Sequence, residues 1–234
     1  MKILAIDSSS VVATVGIIEN DTIVGEYTIN TKMTHSQTLL PMIEALMTIT
    51  KTEKESLDGI AVSGGPGSFT GLRIGSATAK GLGLALDIPI IHVPTLEALA
   101  YNMCGIKEYV CPIMDARRNS VYTAMYHFEG EEIITDINQC QMEIPELIKE
   151  LSDRGIKVVF LGDGVKVYKD ALREGLGDNC VFAPVHKNMQ SAASLAVLSK
   201  KYYENDNVVS ADNHEPDYLR KSQAERELQE KHNA

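Results

Sequence analysis

Short apolar runs separated by polar turns occupy the N-terminal part of the chain. Residues 2–7, 13–18 and 22–29 are rich in aliphatic and β-branched side chains, a composition that is typical of strands. A polar turn at residues 20–21 separates the second run from the third. The pattern predicts a three-stranded meander whose first strand ends in Asp7.

A helix is predicted to follow this meander and to run to Thr50. Thr34 and Gln37 have the spacing of a capping box, which marks a helix start. Pro41 lies inside the helix and should kink it or delay its regular part. The apolar side chains recur at helical spacing and therefore share one face; they are Leu39, Met42, Ile43, Leu46 and Ile49.

Residues 58–75 place an apolar run, a glycine cluster and a helix start in direct succession. Residues 60–62 predict a buried strand, and residues 63–67 a turn whose backbone angles only glycine adopts freely. A second helix is expected over residues 70–86, with Ser68 or Thr70 as its N-cap. Free N–H groups and the positive end of a helix dipole would meet at this point, which suits an anion.

Small residues recur at every fourth position of this second helix. Each interior glycine costs about 1 kcal/mol relative to alanine, so a compensating contact is expected. We expect a neighbouring backbone to approach the helix closely along this stripe. It consists of Gly71, Gly75, Ala79 and Gly83, while Leu72 and Leu82 lie on another part of the helix surface.

The second half of the chain repeats the order of the first. Residues 109–115 form an apolar run that ends in Asp115, and two strands, residues 121–128 and 131–135, flank a turn at Glu129. The spacing from aspartate to turn is nearly equal in both halves. Further elements are predicted at residues 145–154, 168–174 and 191–203 as helices, 158–161 as a strand, and 218–231 as a charged surface helix.

Two lobes that each begin with a meander and an aspartate describe a duplicated α/β fold. This is the two-lobed actin-like architecture (ASKHA, ribonuclease H-like), found in actin, Hsp70 and sugar kinases, in which a nucleotide sits between the lobes. We expect an N-terminal lobe over residues 1–104, a C-terminal lobe over residues 105–215, and a charged tail over residues 216–234.

Composition narrows the class of protein. The 234 residues are 44% hydrophobic and 23% charged, which fits a globular protein with a substantial core. No apolar run approaches the ~20 residues of a membrane span, and the four cysteines form no C-x-x-C pair, so a cytoplasmic protein with reduced thiols is expected. A net charge of −10 and the absence of Trp disfavour direct binding to nucleic acid.

Four candidate anion or nucleotide sites each have a plain structural alternative. Ser9 occupies the place where nucleotide-using actin-like proteins carry a glycine, so Asp7 either caps its turn or retains a weak nucleotide contact. The loop at residues 64–70 is either an anion cradle or a tight turn before the helix. The remaining two are the glycine turn Gly162-Asp163-Gly164 and the paired arginines Arg117 and Arg118, which either hold an anion or form a solvated turn.

Several segments together resemble the TsaB family, also called YeaZ. The resemblance is dense over residues 1–123 and thinner to residue 220. It rests on the glycine segment continued to Gly81, and on Ile-Leu-Ala-Ile-Asp7-Ser-Ser, His35-Ser-x-x-Leu-x-Pro41, Pro94-Thr-Leu-Glu-Ala-Leu99, Asp115-Ala-Arg-Arg118 with Val121-Tyr122, and Pro216-x-Tyr-Leu-Arg220.

The resemblance implies a role in making N6-threonylcarbamoyladenosine at position 37 of tRNAs that read codons beginning with A. It implies a catalytically silent subunit that pairs with a TsaD-type transferase and a TsaE-type ATPase, forms a homodimer when the partner is absent, and meets tRNA through the complex. This chain would need no cofactor, whereas ATP and a divalent metal would belong to the partner subunits.

The resemblance also implies where partners dock. The contact helices would be those at residues 34–50 and 70–86, and Arg73 would orient the second helix, form a salt bridge to the partner or, as a further alternative, bind an anion. The implied interface residues are His35, Leu39, Met42, Ile43, Leu46, Gly71, Leu72, Gly75, Ala79, Leu82 and Gly83.

A metal site is not expected in this chain. The catalytic relative carries His-x-x-x-His after the strand that follows its glycine helix, whereas this sequence has Thr95 and Leu99 at those two places. The six histidines show no paired ligand spacing; they are His35, His92, His127, His186, His214 and His232.

Two enzyme classes stay open as alternatives. The fold and its glycine turns would suit an ATPase or phosphotransferase with its own nucleotide site. A peptidase is weaker, because no Ser-His-Asp or Cys-His set can be assembled from local spacing.

Overall fold

The computed structural model describes residues 1–219, in which ten strands and six α-helices alternate. The strands are β1 (Lys2–Asp7), β2 (Ala13–Glu19), β3 (Thr22–Ile29), β4 (Gly59–Gly65), β5 (Ile90–Pro94), β6 (Tyr109–Arg117), β7 (Ser120–Glu129), β8 (Glu132–Glu143), β9 (Val158–Leu161) and β10 (Cys180–Phe182). The helices are α1 (His35–Thr50), α2 (Phe69–Leu86), α3 (Thr95–Ala100), α4 (Ile144–Arg154), α5 (Gly164–Leu176) and α6 (Ala192–Glu204).

The strands form two five-stranded sheets of the same design. The first has the order β3-β2-β1-β4-β5 and the second β8-β7-β6-β9-β10. In each sheet the first three strands of its half pair antiparallel, and the last two add in parallel. Helices α1 and α2 occupy the same places in the first half as α4 and α5 in the second. The predicted duplicated actin-like fold is therefore confirmed.

The last helix of each half packs across the lobes. Leu195 and Ala196 of α6 lie in a core cluster with Ile3 and Ala5 of β1. Leu96 of α3, which follows the first sheet, lies in a cluster with strands of the second sheet. The predicted boundaries at residues 104 and 215 stay a prediction, since α6 belongs to the second half of the sequence but completes the core of the first sheet.

Most predicted elements occur within a few residues of their expected ends. The capping box at α1 is present, with the backbone N–H of Thr34 donating to Oε1 of Gln37 at 3.4 Å. Pro41 lies inside the helix, as expected. The helix expected at residues 168–174 begins earlier, at Gly164, because Gly162 and Asp163 form a turn that leads directly into it. The helix predicted at residues 218–231 lies almost wholly outside the described residues.

The glycine stripe of α2 is filled by the chain itself. A side chain at Gly71 would overlap the carbonyl oxygen of Ser8, and one at Gly75 would crowd the hydroxyl of Ser8. A side chain at Gly83 would lie 3.0 Å from Cβ of Ala211. The expected close backbone approach is confirmed, and the approaching backbone is the turn after β1.

Residues 208–219 return across the first sheet and are called the C-terminal strap. Val209 and Ile90 exchange two backbone hydrogen bonds of 2.9 Å at the edge of β5. Lys80 of α2 donates from Nζ to the carbonyl oxygens of Asp212 and His214, at 3.0 and 3.1 Å. The strap is thus held to α2 and β5 by polar contacts, and its Val209 and Ala211 also pack in the core of the first lobe. Among the described residues no helix is both long and apolar enough to cross a membrane.

A chain of hydrogen bonds around His214 anchors the strap. Nδ1 of His214 lies 2.9 Å from the Ser76 hydroxyl, and Nε2 lies 3.3 Å from Nδ1 of His92. Nε2 of His92 lies in turn 3.0 Å from a carboxylate oxygen of Asp217. Burial and the neighbouring His92 lower the pKa of His214 to about 4, so this imidazole is neutral at pH 7.

We expect the lowered pKa of His214 to make the strap's stability depend on pH. The unfolded chain takes up a proton near pH 6.5, while the folded chain resists it until about pH 4, so acid favours unfolding. Between pH 7 and 5 this group alone should remove about 1–2 kcal/mol from the free energy of unfolding. Urea unfolding of the wild type and of His214→Gln at both pH values measures this. Equal pH dependence in the two proteins would contradict the assignment.

Candidate functional site: the cleft between the lobes

A cavity of about 560 Å³ lies where the two sheets face each other. The first lobe contributes the turn after β1, with Ser9 and Ser10, and residues 66–70 at the start of α2. The second lobe contributes the end of β6 and Asp163. The strap closes one edge with residues 217–219. This is the place in which actin-like proteins hold a nucleotide, so each predicted site residue is judged by whether it faces this cavity.

Asp7 does not face the cleft. Its side chain is 1% exposed, and Oδ1 accepts from the backbone N–H and the hydroxyl of Ser9, at 2.8 and 2.7 Å. Oδ2 accepts from the hydroxyl of Ser63 on β4, at 2.5 Å. Burial raises the pKa of Asp7, while these hydrogen bonds act in the opposite direction. The contacts support the interpretation that Asp7 caps its turn, because both carboxylate oxygens are already bound within the chain.

The glycine loop before α2 is also occupied by contacts within the chain. The N–H of Gly65 donates to the hydroxyl of Thr95 at 3.0 Å, and the carbonyl of Gly64 accepts from the N–H of Asp217 at 2.7 Å. The N–H of Ser68 donates to the carbonyl of Ser9 at 2.7 Å. These bonds tie the loop to α3, to the strap and to the turn after β1. They favour a structural turn over an anion cradle.

Arg73 contacts the strap. Its guanidinium lies 4.0 Å from the centre of the Phe69 ring, and Nε donates to the hydroxyl of Tyr218 at 3.3 Å. The rings of Phe69 and Tyr218 are themselves 4.8 Å apart. Of the expected roles, orientation of the helix agrees best with these contacts.

The glycine turn after β9 packs tightly against β6. Gly162 has φ of +107°, and a side chain there would overlap the carbonyl oxygen of Ile113. Its N–H donates to the carbonyl of Asn188 at 2.7 Å. Gly164 is equally confined by Ile113. Neither glycine lines the cavity, which favours the interpretation that they form a turn.

Carboxylates outnumber cations in the described lining of the cleft. Asp163, between the two glycines, lines the cavity, and burial raises its pKa. Its Oδ1 accepts from the N–H of Asp115, which also lines the cavity. Asp217 of the strap adds a third carboxylate, against one cation, Arg117, among the described lining residues. This charge balance is unfavourable for the phosphates of a nucleotide.

Sequence reasoning missed Asp163 and Asp217 as cleft residues. The sequence did contain a signal for Asp163, because it lies between two glycines directly after β9. The end of that strand faces the cleft. Asp217 lies on a segment without any periodic pattern, so its position depends entirely on where the strap folds back.

The paired arginines lie at the tip of the hairpin between β6 and β7, and only one of them lines the cavity. Arg117, Arg118 and Asn119 all have left-handed backbone angles, with φ of 64°, 53° and 60°. The N–H of Arg117 donates to Oδ1 of Asp115 at 2.9 Å, which fixes the tip. Arg117 lines the cavity and Arg118 does not, so a bidentate clamp by the pair on a ligand in the cleft is not formed.

The positions that would carry metal ligands are used for packing. The Thr95 hydroxyl accepts from Gly65, and Leu99 is buried beside Gly162. Within residues 1–219, no group of three His, Cys, Asp or Glu side chains is close enough to hold a metal ion.

The residues expected at the partner interface face the protomer's own core. Leu39, Met42, Ile43 and Leu46 of α1 are 1–6% exposed, because the amphipathic face that they form packs on the first sheet. The small residues of α2 are buried against the turn after β1 and the strap. Nε2 of the half-buried His35 lies at hydrogen-bond distance, 2.7 Å, from the carbonyl oxygen of Ser10. Other residues of α1 and α2 are exposed, and they include polar ones such as Glu44, Thr48 and Arg73. The small or apolar ones among them are Leu40, Ile49, Ala77, Gly81, Leu84 and Ala85.

Replacing Asp7 should destabilise the fold. Asp7→Ala leaves the donors of Ser9 and Ser63 without an acceptor in a buried place, which should lower the free energy of unfolding by about 2–3 kcal/mol. Asp7→Asn keeps one acceptor oxygen and should lose less. Urea unfolding at pH 7 measures both. An Asp7→Ala protein as stable as the wild type would show that the carboxylate does not hold the turn.

Known proteins match the chain along almost its whole length. The family model of TsaD, tRNA N6-adenosine threonylcarbamoyltransferase, matches residues 22–228. The tRNA threonylcarbamoyladenosine biosynthesis protein TsaB of Bacillus subtilis is 35% identical over 230 residues, which cover 96% of each chain, and that of Escherichia coli is 29% identical over 97% of this chain and 98% of the relative.

A solved structure agrees with these relatives. An uncharacterized Pseudomonas aeruginosa protein, described as similar to peptidase YeaZ, superposes with a TM-score of 0.81 at 25% identity and covers 94% of this chain and 99% of its own. The chain therefore belongs to the TsaB (YeaZ) family of tRNA threonylcarbamoyladenosine biosynthesis proteins and carries a TsaD-like domain.

Proposed function

We propose that this chain is a non-catalytic scaffold that activates a TsaD-type transferase. Together with a TsaE-type ATPase, the pair would form N6-threonylcarbamoyladenosine at position 37 of tRNAs that decode codons beginning with A. The observation that carries this proposal is the outward face of α1 and α2, on which small residues of α2 and large apolar side chains of both helices are exposed.

This outward face has the properties of a helix-docking surface. Ala77, Gly81 and Ala85 are exposed at four-residue spacing, so a partner helix can approach the backbone of α2 closely. Leu84, next to Ala85 on α2, is 54% exposed, and Ile49 on the neighbouring α1 is 80% exposed. Both helices therefore expose a large apolar side chain. Exposed apolar side chains next to a smooth helix favour burial against another protein.

The inner face of α2 supports the same role. Its glycines lock the helix onto the turn after β1, so the outward face is presented on a rigid support. A rigid support lowers the ordering cost of docking. Docking energy can then shift the partner toward its competent conformation.

The cleft favours a scaffold over an enzyme with its own nucleotide site. Asp7 is bound within the chain, the glycine loop is occupied, and carboxylates outnumber cations among the described lining residues. The net charge of −10 favours contact with tRNA through the complex rather than by this chain alone. The same outward face would serve a homodimer when the partner is absent.

A bulky residue on the outward face should prevent pairing. Gly81 has open space around it, so Gly81→Trp fits the isolated protomer but overfills a close helix contact. We expect at least about ten-fold weaker binding to the TsaD-type protein of the same organism, since overpacking costs about 1–3 kcal/mol. Sedimentation or calorimetry measures the affinity, and circular dichroism checks the fold.

The matched control is Ala171→Trp on the exposed face of α5 in the other lobe. It should pair normally and support tRNA modification when all subunits are present. Undiminished pairing by Gly81→Trp would overturn the interface, and ATP turnover by the isolated wild type would favour the ATPase alternative.

A further inference from the structure

A second cavity, of about 450 Å³, lies on the other side of the strap from the cleft. We call it the α3 cavity. Glu97 of α3, Tyr126 of β7 and Gln139 of β8 line it, and strap residues Asp217 and Tyr218 form part of its wall. It is separate from the outward face of α1 and α2, so its occupancy is independent of the docking proposed above.

Glu97 lines the α3 cavity and also a smaller cavity that Lys201 and Tyr202 line. Oε2 accepts from the hydroxyl of Tyr202 at 2.8 Å. Oε1 has no hydrogen-bond partner among the described residues. Burial raises the pKa of Glu97, and the hydrogen bond from Tyr202 opposes that shift. A half-buried carboxylate of this kind gains from a cation that enters the cavity.

Tyr126 supplies a second unsatisfied oxygen. The residue is 2% exposed, yet its hydroxyl makes no hydrogen bond with any residue of the described part of the chain. This hydroxyl is not among the fully buried unpaired atoms of the described residues, so it reaches the open space of the cavity. Since Tyr126 lines the α3 cavity, a group inside the cavity is the partner that this hydroxyl can reach.

The charge of the lining determines which groups are accepted. Glu97 and Asp217 are acidic, and no Lys or Arg belongs to the described lining of the α3 cavity. The nearby ammonium of Lys201 donates to the carbonyl of Glu131 at 2.6 Å and lies over the ring of Tyr101. The charge of Lys201 also acts on Glu97 and lowers its pKa, but Lys201 is not part of the described lining. An anionic ligand in the cavity would therefore meet two carboxylates and no lining cation.

We propose that the α3 cavity binds a small aliphatic amine through its primary ammonium group. An ammonium carries three donors and no acceptor, which suits the free oxygen of Glu97 and the hydroxyl of Tyr126. A divalent metal would require more oxygen ligands than this site brings together, and residues 1–219 contain no group of three candidate ligands. The apolar surfaces of Pro94 and Tyr218 are available for the carbon chain.

Two-dimensional NMR of the full chain tests this proposal. Titration with 1,5-diaminopentane should shift the backbone amides of residues 95–98 and 135–139 saturably, while 1-pentanol and glutarate at the same concentrations should not. Glu97→Gln keeps an acceptor for Tyr202 but removes the charge, and should weaken binding at least about ten-fold, since hydrogen bonds to charged groups are the stronger ones.

Two further variants keep the test decisive. Tyr126→Phe removes only the hydroxyl and should weaken binding several-fold without unfolding, as thermal melting will show. Glu174→Gln removes one exposed charge from α5 and should bind normally. The proposal is overturned if the amine gives no saturable shifts, if 1-pentanol gives the same shifts, or if Glu97→Gln and Glu174→Gln bind equally.

Discussion

The buried carboxylate of Asp7 is the constraint on which the arrangement of the first lobe depends. It joins the turn after β1 to β4 through Ser9 and Ser63. That turn then presents the carbonyl and hydroxyl of Ser8 to the glycine face of α2, where no side chain could be accommodated. The position of α2 follows from this contact, and so does the direction in which its outer side chains point.

The hydrogen bonds of Asp7 also affect which groups face the cleft. In an actin-like protein that uses nucleotide, the turn after the first strand is open to the phosphates. Here its acid is directed into the protein and its serine is bound to that acid. Asp115, Asp163 and Asp217 lie around the remaining space, which gives the cleft an acidic lining. On the outside of the first lobe, α2 exposes small residues at four-residue spacing.

Local patterns in the sequence predicted the elements and the duplication well. Three features are properties of neighbouring residues: the capping box of Thr34 and Gln37, the meanders whose first strands carry Asp7 and Asp115, and the close contact along the α2 glycines. Periodicity shows that Leu39 and Gly75 lie on a particular helix face, but it does not show whether the chain or a partner covers that face. The strap has no periodic pattern, so neither its course nor the cleft position of Asp217 could be predicted.

The exchange of α3 and α6 between the lobes has a consequence for the chain as a whole. Each sheet is completed by a helix that the other half of the sequence supplies, through Leu96 in one direction and Leu195 in the other. A fragment cut between the halves would leave an apolar sheet face uncovered. We therefore expect the two lobes to unfold together, so that a destabilising substitution in one lobe lowers the stability of both.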